Sequence, residues 1–195
     1  MNNQSHERCS WVTSEPIYIA YHDVEWGVPL YDETKLFEFL MLEGMQSGLS
    51  WITILKKREG YRKAFDNFEL NKIVKYKQNK IDQLLENTGI IRNQSKIVAI
   101  IHNATLVREL KRQGINFADY LWQFVDGKPL QNHWQHSKDI PTKTIISDTM
   151  AKDLKQKGFK FIGSTVCYAF MQAVGMVNDH VSGCFRHQQI LQHHL

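Results

Sequence analysis

Two pairs of cysteine and histidine residues stand near opposite ends of the 195-residue chain. Cys9 and His22 form the first pair, and His180 and Cys184 form the second. Two thiolates and two imidazoles make a ligand set that suits tetrahedral zinc, and four protein ligands leave no position open for a reactive water. We therefore expect a structural Zn²⁺ that joins the N-terminal arm to the C-terminal segment. Because neither half has a common zinc-finger spacing, four unrelated residues are the alternative.

Other sulfur and imidazole side chains are also candidates for ligation. Cys167 shares a predicted helix face with Phe170 and Val174, and we interpret it as a small core residue. The odd number of cysteines argues against a disulfide framework in a chain that we expect to be cytoplasmic. The further histidines that could compete as ligands are His136, His187, His193 and His194.

Aromatic side chains are concentrated around one acidic residue in the first part of the chain. Glu43 follows Leu36 by seven positions and Leu40 by three, which places its carboxylate on the apolar face of a predicted helix. Packing in the core is a sufficient explanation for any one of the aromatic residues taken alone. The aromatic residues of this region are Trp11, Tyr18, Tyr21, Trp26 and Trp51.

An isolated carboxylate on an apolar face needs a partner, because burial without a donor is unfavourable by several kcal/mol. An arginine or a helix N-terminus could supply that partner. The alternative is a flat ligand held between aromatic rings, with Glu43 accepting hydrogen bonds from its edge. A nucleobase fits this description, since every base has a π-face and adenine has an amino donor.

A glycine-bounded turn between two predicted helices is a candidate phosphate site. Its sequence over 157–165 is KGFKFIGST, and Ser164 or Thr165 could cap the second helix. Backbone N–H groups at a helix start favour anions, and the lysines beside them add positive charge. The pattern is typical of a helix-hairpin-helix, although glycine beside a helix end is also an ordinary connector. The predicted DNA contacts here are Gly158, Lys160, Gly163, Ser164 and Thr165.

Leu49 is a candidate for direct insertion into a DNA duplex. It follows Gly48 at the end of the Glu43 helix and precedes Trp51. Packing in the core is again the alternative. Proteins that distort DNA push apolar side chains between base steps, and an extruded nucleotide leaves a gap to fill. We predict that Leu49 is such a wedge.

The segments that must position these residues are mostly helical. Apolar residues recur every three to four positions, whereas strand-like alternation is short and rare. The fold class is therefore predicted to be all-α. Helical segments are predicted at 32–48, 81–85, 97–107, 117–125, 147–157 and 164–174.

We expect the whole chain, 1–195, to form a single functional unit with two helical lobes. In this prediction the terminal segments, 32–48 and 141–186 surround a central lobe at about 50–125. A net charge of +4 permits an anionic partner without proving one. No apolar run approaches a membrane span of roughly 18 residues, so we expect no membrane partner.

The assembled motifs closely resemble DNA-3-methyladenine glycosylase I, a family of the helix-hairpin-helix glycosylases. The resemblance extends from Arg8 to about Cys184. It is strongest in segments 18–23 (YIAYHD), 25–29 (EWGVP), 42–44 (LEG) and 48–52 (GLSWI), then in 157–165 and 178–181 (NDHV).

The resemblance implies a helix-hairpin-helix glycosylase fold whose terminal segments are joined by a structural zinc. It assigns the zinc ligands to Cys9, His22, His180 and Cys184, and the base pocket to Tyr21, Glu43 and Trp51. Trp11, Tyr18 and Trp26 fall in the same region, and no function is carried onto the tail after Cys184.

The implied activity is hydrolysis of the N-glycosidic bond of N3-methyladenine in alkylated double-stranded DNA, with free 3-methyladenine as product. We expect a monomer. Glu43 is the candidate catalytic residue, with at least a recognition role, whereas Asp179 is given no catalytic role. A non-catalytic reader of alkylated bases and a zinc hydrolase are the alternatives from other functional classes.

Overall fold

The computed structural model describes residues 7–46 and 48–192. His193 and His194 therefore lie outside the described residues. The described part of the chain contains ten α-helices and one pair of very short parallel strands. In chain order these are α1 (Pro16–Val24), α2 (Glu33–Gln46), α3 (Trp51–Ala64), α4 (Leu70–Ile73), α5 (Gln78–Glu86), α6 (Gln94–Arg112), α7 (Phe117–Trp122), β1 (Leu130–Gln131), α8 (Ile145–Gln156), α9 (Ser164–Ala173), β2 (Val177–Asn178) and α10 (Phe185–Gln192).

Local sequence signals explain where several helices begin. Pro16 occupies the first turn of α1, where its missing N–H leaves no helical hydrogen bond unmade. The side chain of Asn93 accepts from the Lys96 N–H and caps α6. Thr144 and Ser147 form a reciprocal capping box at the start of α8. These signals fix the starts of three helices, of which α1 contributes residues to the site described below.

Helix α2 lies in the centre of the molecule. The sequence periodicity predicts one apolar face, but the structure buries every residue from Leu36 to Met45. A helix that is apolar on most sides is suited to such a central position. It contacts α3, α6, α7 and α9. Glu43 is therefore carried into the interior by the helix with the most extensive burial.

The short strands connect two distant parts of the chain. Leu130 pairs with Val177 and Gln131 with Asn178 in a parallel register. This pairing places the segment after β1 beside Asp179, directly after β2. The helical class predicted from the sequence is confirmed, with this strand pair as an addition.

The bounds of the six predicted helices agree with the structure to within about five residues, but the sequence did not predict α1, α3, α4 and α10. Two further differences concern α7 and the start of α9. The segment predicted as a helix at 117–125 is α7 followed by a 3-10 turn at Gln123–Val125. The cap of α9 is Gly163, which has no side chain, so the prediction that Ser164 or Thr165 caps this helix is wrong. The division into two lobes stays a prediction.

No helix among the described residues is long and apolar enough to cross a membrane.

Candidate functional site

The four cysteine and histidine side chains predicted as ligands meet in the structure. Their ligating atoms all lie within 4.8 Å of one another, and all four residues are buried. The ligands come from the segment before α1, from α1 itself and from the segment between β2 and α10. The cluster therefore joins the two ends of the fold.

The distances between ligating atoms fit a tetrahedral zinc ion. Zn–S bonds near 2.3 Å and Zn–N bonds near 2.0–2.1 Å require a sulfur–nitrogen separation of about 3.6 Å at the tetrahedral angle. The Cys9 Sγ–His180 Nδ1 distance is 3.6 Å, and Cys184 Sγ lies 3.4 Å from both His180 Nδ1 and His22 Nε2. Three of the six pairwise distances are therefore close to those of a tetrahedral zinc site.

Neighbouring acceptors orient both imidazoles toward the cluster. His22 Nδ1 lies 2.7 Å from a carboxylate oxygen of Asp23, and His180 Nε2 lies 3.0 Å from the Trp26 carbonyl. Because a carbonyl or carboxylate oxygen accepts, the ring nitrogen facing it carries the proton and the other is free to bind metal. Outer partners of this kind are typical of histidine metal ligands.

Asp23 is itself held in place by Arg8. The Arg8 guanidinium donates three hydrogen bonds to the Asp23 carboxylate, at 2.8 and 3.0 Å from Nε and 2.7 Å from Nη2. Burial alone would raise the pKa of Asp23, but hydrogen bonds from Arg8 and His22 lower it below its ordinary value. The carboxylate therefore stays ionised as a partner for the His22 ring.

Beside the cluster lies a cavity of about 310 Å³. The structure brings all six predicted pocket residues to its wall, together with five residues that the sequence did not indicate. The six come from the segment before α1, from α1, from the turn that follows α1, and from α2 and α3. The predicted residues are Trp11, Tyr18, Tyr21, Trp26, Glu43 and Trp51, and the additional ones are Gln46, Ser137, Ile140, Ala169 and Gln172.

The aromatic rings of the cavity wall contact one another in tilted and edge-on arrangements. The Tyr21 and Trp51 centroids are 5.5 Å apart with planes at 49°. Trp11 lies 5.0 Å from both Tyr18 and Trp26. Tilted and edge-on contacts of this kind are favourable and hold the rings in place. The wall can therefore present π-faces to a flat ligand.

The metal-ligand cluster and the cavity share part of their structure. His22 directly follows Tyr21 on α1. The Trp26 ring lies 4.6 Å from the His180 ring, and its carbonyl accepts from the same imidazole. An interaction that restricts the motion of the cluster residues therefore also restricts Tyr21 and Trp26, which belong to the cavity wall.

Glu43 is the carboxylate of the cavity wall. It is only 4% exposed, and no hydrogen bond or ion pair reaches its side chain from the residues described. Burial raises the pKa of Glu43 to about 8. The pKa values of Tyr18 and Tyr21 are also raised, mainly by burial and to a smaller extent by the nearby Glu43. Both phenols therefore remain protonated donors at neutral pH.

Asp179, by contrast, is fully supplied with donors. Its two carboxylate oxygens accept four hydrogen bonds at 2.6–2.8 Å. One comes from Nε2 of Gln172, whose residue lines the cavity. A buried carboxylate with four donors acts as a structural anchor, and sequence reasoning alone did not reveal this role. The four donors belong to Asn132, Trp134, Tyr168 and Gln172.

The turn between α8 and α9 lies against α2 and α6. Gly158 has a φ of +93°, which glycine adopts without strain at the end of a helix. Asn103 on α6 accepts from the Lys160 N–H at 2.9 Å and donates to its carbonyl at 3.0 Å. A side-chain atom on Gly44 would lie 3.2 Å from the Phe161 carbonyl, so glycine on α2 permits this approach.

This arrangement changes which groups of the turn are available to a phosphate. The Gly158 N–H donates to the Lys155 carbonyl and the Lys160 N–H donates to Asn103, so neither backbone donor is free for a phosphate. The Ser164 hydroxyl lowers the pKa of Asp148, since it donates to that carboxylate. Among the described residues, the backbone N–H groups at the start of α9 remain available.

Leu49 is 41% exposed and lies next to the cavity residue Trp51. Packing in the core, the alternative explanation for this leucine, is therefore wrong. Cys167 is fully buried on α9, as the interpretation as a core residue requires.

Comparison with known proteins identifies the family. The sequence profile of the family described as methyladenine glycosylase matches residues 11–187. The chain is 51% identical to DNA-3-methyladenine glycosylase 1 of Escherichia coli (strain K12) over 178 residues, which cover 91% of this chain and 95% of the relative.

Solved structures agree with this relationship over nearly the same length. A crystal structure of 3-methyladenine DNA glycosylase I superposes with a TM-score of 0.90 at 54% identity, covering 92% of this chain and 98% of the other. A phenylalanine-for-tyrosine variant of 3-methyladenine DNA glycosylase I, solved in complex with 3-methyladenine, superposes with a TM-score of 0.88 at 37% identity over 91% of this chain and 96% of its own. The chain belongs to the methyladenine glycosylase family.

Proposed function

We propose that this protein is a DNA repair glycosylase that hydrolyses the N-glycosidic bond of N3-methyladenine in alkylated DNA and releases the free base. The observation that carries the proposal is the cavity in which Glu43 faces a wall of aromatic rings. The names of the relatives and the 3-methyladenine held by one of them support the same substrate. The DNA partner is alkylated duplex, and the protein acts as a monomer.

Cleavage of this glycosidic bond requires less general-acid catalysis than cleavage of most glycosidic bonds. A base inside a duplex must rotate out of the stack before it can enter the cavity, and lesions with weakened pairing rotate most easily. Adenine alkylated at N3 carries a positive charge and leaves as a neutral base, so little general-acid catalysis is needed. Selection of the base then supplies much of the specificity.

We assign Glu43 to recognition and positioning of the base. As the glycosidic bond breaks, positive charge moves from the base to the sugar. A carboxylate beside the base therefore favours the ground state, and only interactions that strengthen in the transition state accelerate cleavage. Tyr21 and Trp51 hold the base by stacking, and Trp11, Tyr18 and Trp26 complete the wall.

We propose a structural Zn²⁺ bound by Cys9, His22, His180 and Cys184. The donor set and the spacing of 3.4–3.6 Å between sulfur and nitrogen atoms support this assignment. When bound, zinc supplies four bonds that crosslink the chain ends. Four protein donors leave no place for an activated water, which argues against a zinc hydrolase. A Co²⁺-substituted protein should show two thiolate ligands and no exchangeable ligand in its absorption spectrum.

For the DNA contacts, we propose that α8, the turn and α9 form a helix-hairpin-helix. Its phosphate contacts are the N–H groups of Ser164 and Thr165 at the start of α9, assisted by the Lys160 side chain. Gly163 lies in open space that a phosphate could approach. The exposed Leu49 is the proposed wedge. Leu49→Ala should slow excision from duplex DNA while leaving the melting temperature and the affinity for free base nearly unchanged.

The decisive experiment is incubation of the protein with methylated duplex DNA, followed by chromatographic identification of the released base. We expect 3-methyladenine, with few unmethylated bases released. Binding of methylated DNA without release of any base would contradict the proposal and identify the protein as a reader of alkylated bases.

A further inference from the structure

Helix α10, to which the resemblance assigns no function, packs against the cysteine–histidine cluster. It begins at Phe185, directly after the proposed ligand Cys184. Its last five residues lie beyond residue 187, where the match to the family profile ends. The helix has only eight residues, yet its His187 and Ile190 are 1% and 2% exposed. Because so short a helix is not stable alone, contacts with the rest of the fold must hold it.

The last turn of α10 meets the His180 imidazole at Gly27. A side-chain atom on Gly27 would lie 3.1 Å from Cδ1 of Ile190 and 3.2 Å from two atoms of the His180 ring. The missing side chain of Gly27 therefore leaves room for both groups. Gly27 follows Trp26, whose carbonyl accepts from His180 Nε2 at 3.0 Å. Ile190 thus covers the segment that supports the His180 ring.

The first turn of α10 lies beside the His22 imidazole. The Phe185 and His22 ring centroids are 6.2 Å apart. The Arg8 guanidinium lies 5.8 Å from the centroid of the Phe185 ring. The same guanidinium donates to Asp23, which is the partner of the His22 ring. The Phe185 N–H donates to the Glu7 carbonyl at 3.1 Å, so this turn is joined to the N-terminal arm.

His187 attaches the middle of α10 to the strand pair. Its Nε2 donates to the Asn132 carbonyl at 2.8 Å, and its own carbonyl accepts from Asn178 Nδ2 at 3.1 Å. In the last turn, residues 189–192, Ile190 is the only buried residue. A change at Ile190 should therefore loosen the end of the helix while His187 keeps the helix in place.

We propose that α10 is a cover over the proposed zinc site and that local opening of this helix sets the rate of metal release. Four buried ligands exchange a metal only when a competing ligand reaches them. A terminal helix opens locally far more often than the whole fold unfolds. Ile190 is the positioning residue that keeps the cover closed. This inference rests on the proposed zinc site and is independent of the proposed base excision.

A closed cover matters most when free zinc is scarce. Affinity sets the filled fraction of the site at equilibrium, whereas the rate of release sets how long a filled site stays filled after the metal supply falls. Trp26 belongs to the cavity wall and also supports His180. Slow release therefore preserves this side of the cavity as well as the link between the chain ends.

Metal release from the zinc-loaded, full-length protein tests the proposal. An excess of the coloured chelator pyridylazoresorcinol captures the released zinc, and its absorbance gives the rate. Ile190→Ala removes a buried contact and leaves every ligand in place, so release should be at least about tenfold faster than from wild type. Ile190→Val keeps most of the side chain and should release zinc at close to the wild-type rate.

A core variant separates local opening of α10 from unfolding of the whole protein. Ile100→Ala makes the same change at a fully buried position on α6, outside the cluster. This variant should lose stability and release zinc at close to the wild-type rate. Co²⁺-substituted Ile190→Ala should keep the thiolate absorption of the wild-type protein, because its ligand set is unchanged.

The outcomes separate this inference from the proposed function. Release from Ile190→Ala at the wild-type rate would overturn the cover. Equal acceleration in Ile100→Ala would also overturn it, because release would then follow unfolding of the whole fold. A wild-type protein that takes up no zinc would remove the metal site and this inference together. A protein that releases no base from methylated DNA but shows the expected release rates would lose only the proposed activity.

Discussion

Glu43 makes the stability of the free protein depend on pH in the direction opposite to that of most carboxylates. Its pKa is about 8 in the folded state, against an ordinary value of 4.5 that applies to the unfolded chain. Between these values the folded state holds a proton that the unfolded chain has lost. Stability therefore falls as pH rises through this window and becomes flat above pH 8.

The matching experiment compares wild type with Glu43→Gln, which cannot titrate. Urea unfolding at pH 5 and at pH 8 should show that wild type loses a few kcal/mol relative to the variant between the two conditions. A stability difference that stays constant across this range would mean that Glu43 titrates near its ordinary pKa.

Trp51 offers a second test at the level of single residues. Its ring lines the cavity 5.5 Å from that of Tyr21, and it is only partly buried. Trp51→Ala should weaken binding of free 3-methyladenine by about 1–3 kcal/mol through lost stacking, while the protein stays folded. Tyr31→Ala, which removes an exposed ring outside the cavity, is the control. Unchanged affinity of the Trp51 variant would show that the base binds elsewhere.

At the scale of elements, the α8–α9 turn depends on α6 for its shape. Asn103 is 1% exposed and holds both the N–H and the carbonyl of Lys160. Asn103→Ala leaves both groups without this partner, at a cost of about 1–3 kcal/mol for each group that stays unsatisfied. We expect slower excision from duplex DNA and an unchanged affinity for free 3-methyladenine.

A variant that weakens a helix cap away from the turn helps to separate loss of stability from loss of DNA contact. Asn116 caps α7 by accepting from the Asp119 N–H, far from the turn in sequence. Asn116→Ala should cost about 1 kcal/mol and leave excision near the wild-type rate. Equal losses of excision in both variants would mean that Asn103 acts only through overall stability.

The sequence predicts helices well and contacts between helices poorly, and Glu43 and Asn103 show why. The position of Glu43 on an apolar face follows from the period of a helix, which is local information. Asn103 is an ordinary polar residue within α6, and its partner stands 57 positions away in the chain. The four donors to Asp179 are likewise distributed over distant segments, so only a resemblance or a structure brings such residues together.

At the scale of the whole molecule, the cysteine–histidine cluster crosslinks the chain ends. Cys184→Ala should lower zinc content and the melting temperature together, because the free energy of metal binding is partly free energy of folding. Cys167→Ala is the matched control, since Cys167 is equally buried but lies in the core of α9 outside the cluster. It should lose stability and keep its zinc.

Metal analysis and thermal unfolding check both variants. Full zinc content with an unchanged melting temperature in Cys184→Ala would remove the proposed site. Residual base excision by this variant at low temperature is expected, because the proposed metal would stabilise the fold and would take no part in bond cleavage.

The cysteine–histidine cluster contains residues from both ends of the fold, so it can form only late in translation. A ribosome releases the segment containing Cys9 and His22 long before it adds His180 and Cys184. The newly made α1, with Tyr21 beside His22, can pack against Trp51 of α3 early, but its contacts with His180 and Cys184 form only after most of the chain has been made. A translation product that stops short of His180 would carry every aromatic residue of the cavity and still lack the residues that anchor α1. Full competence to bind a base should thus appear only after the segment that contains His180 and Cys184 has been translated.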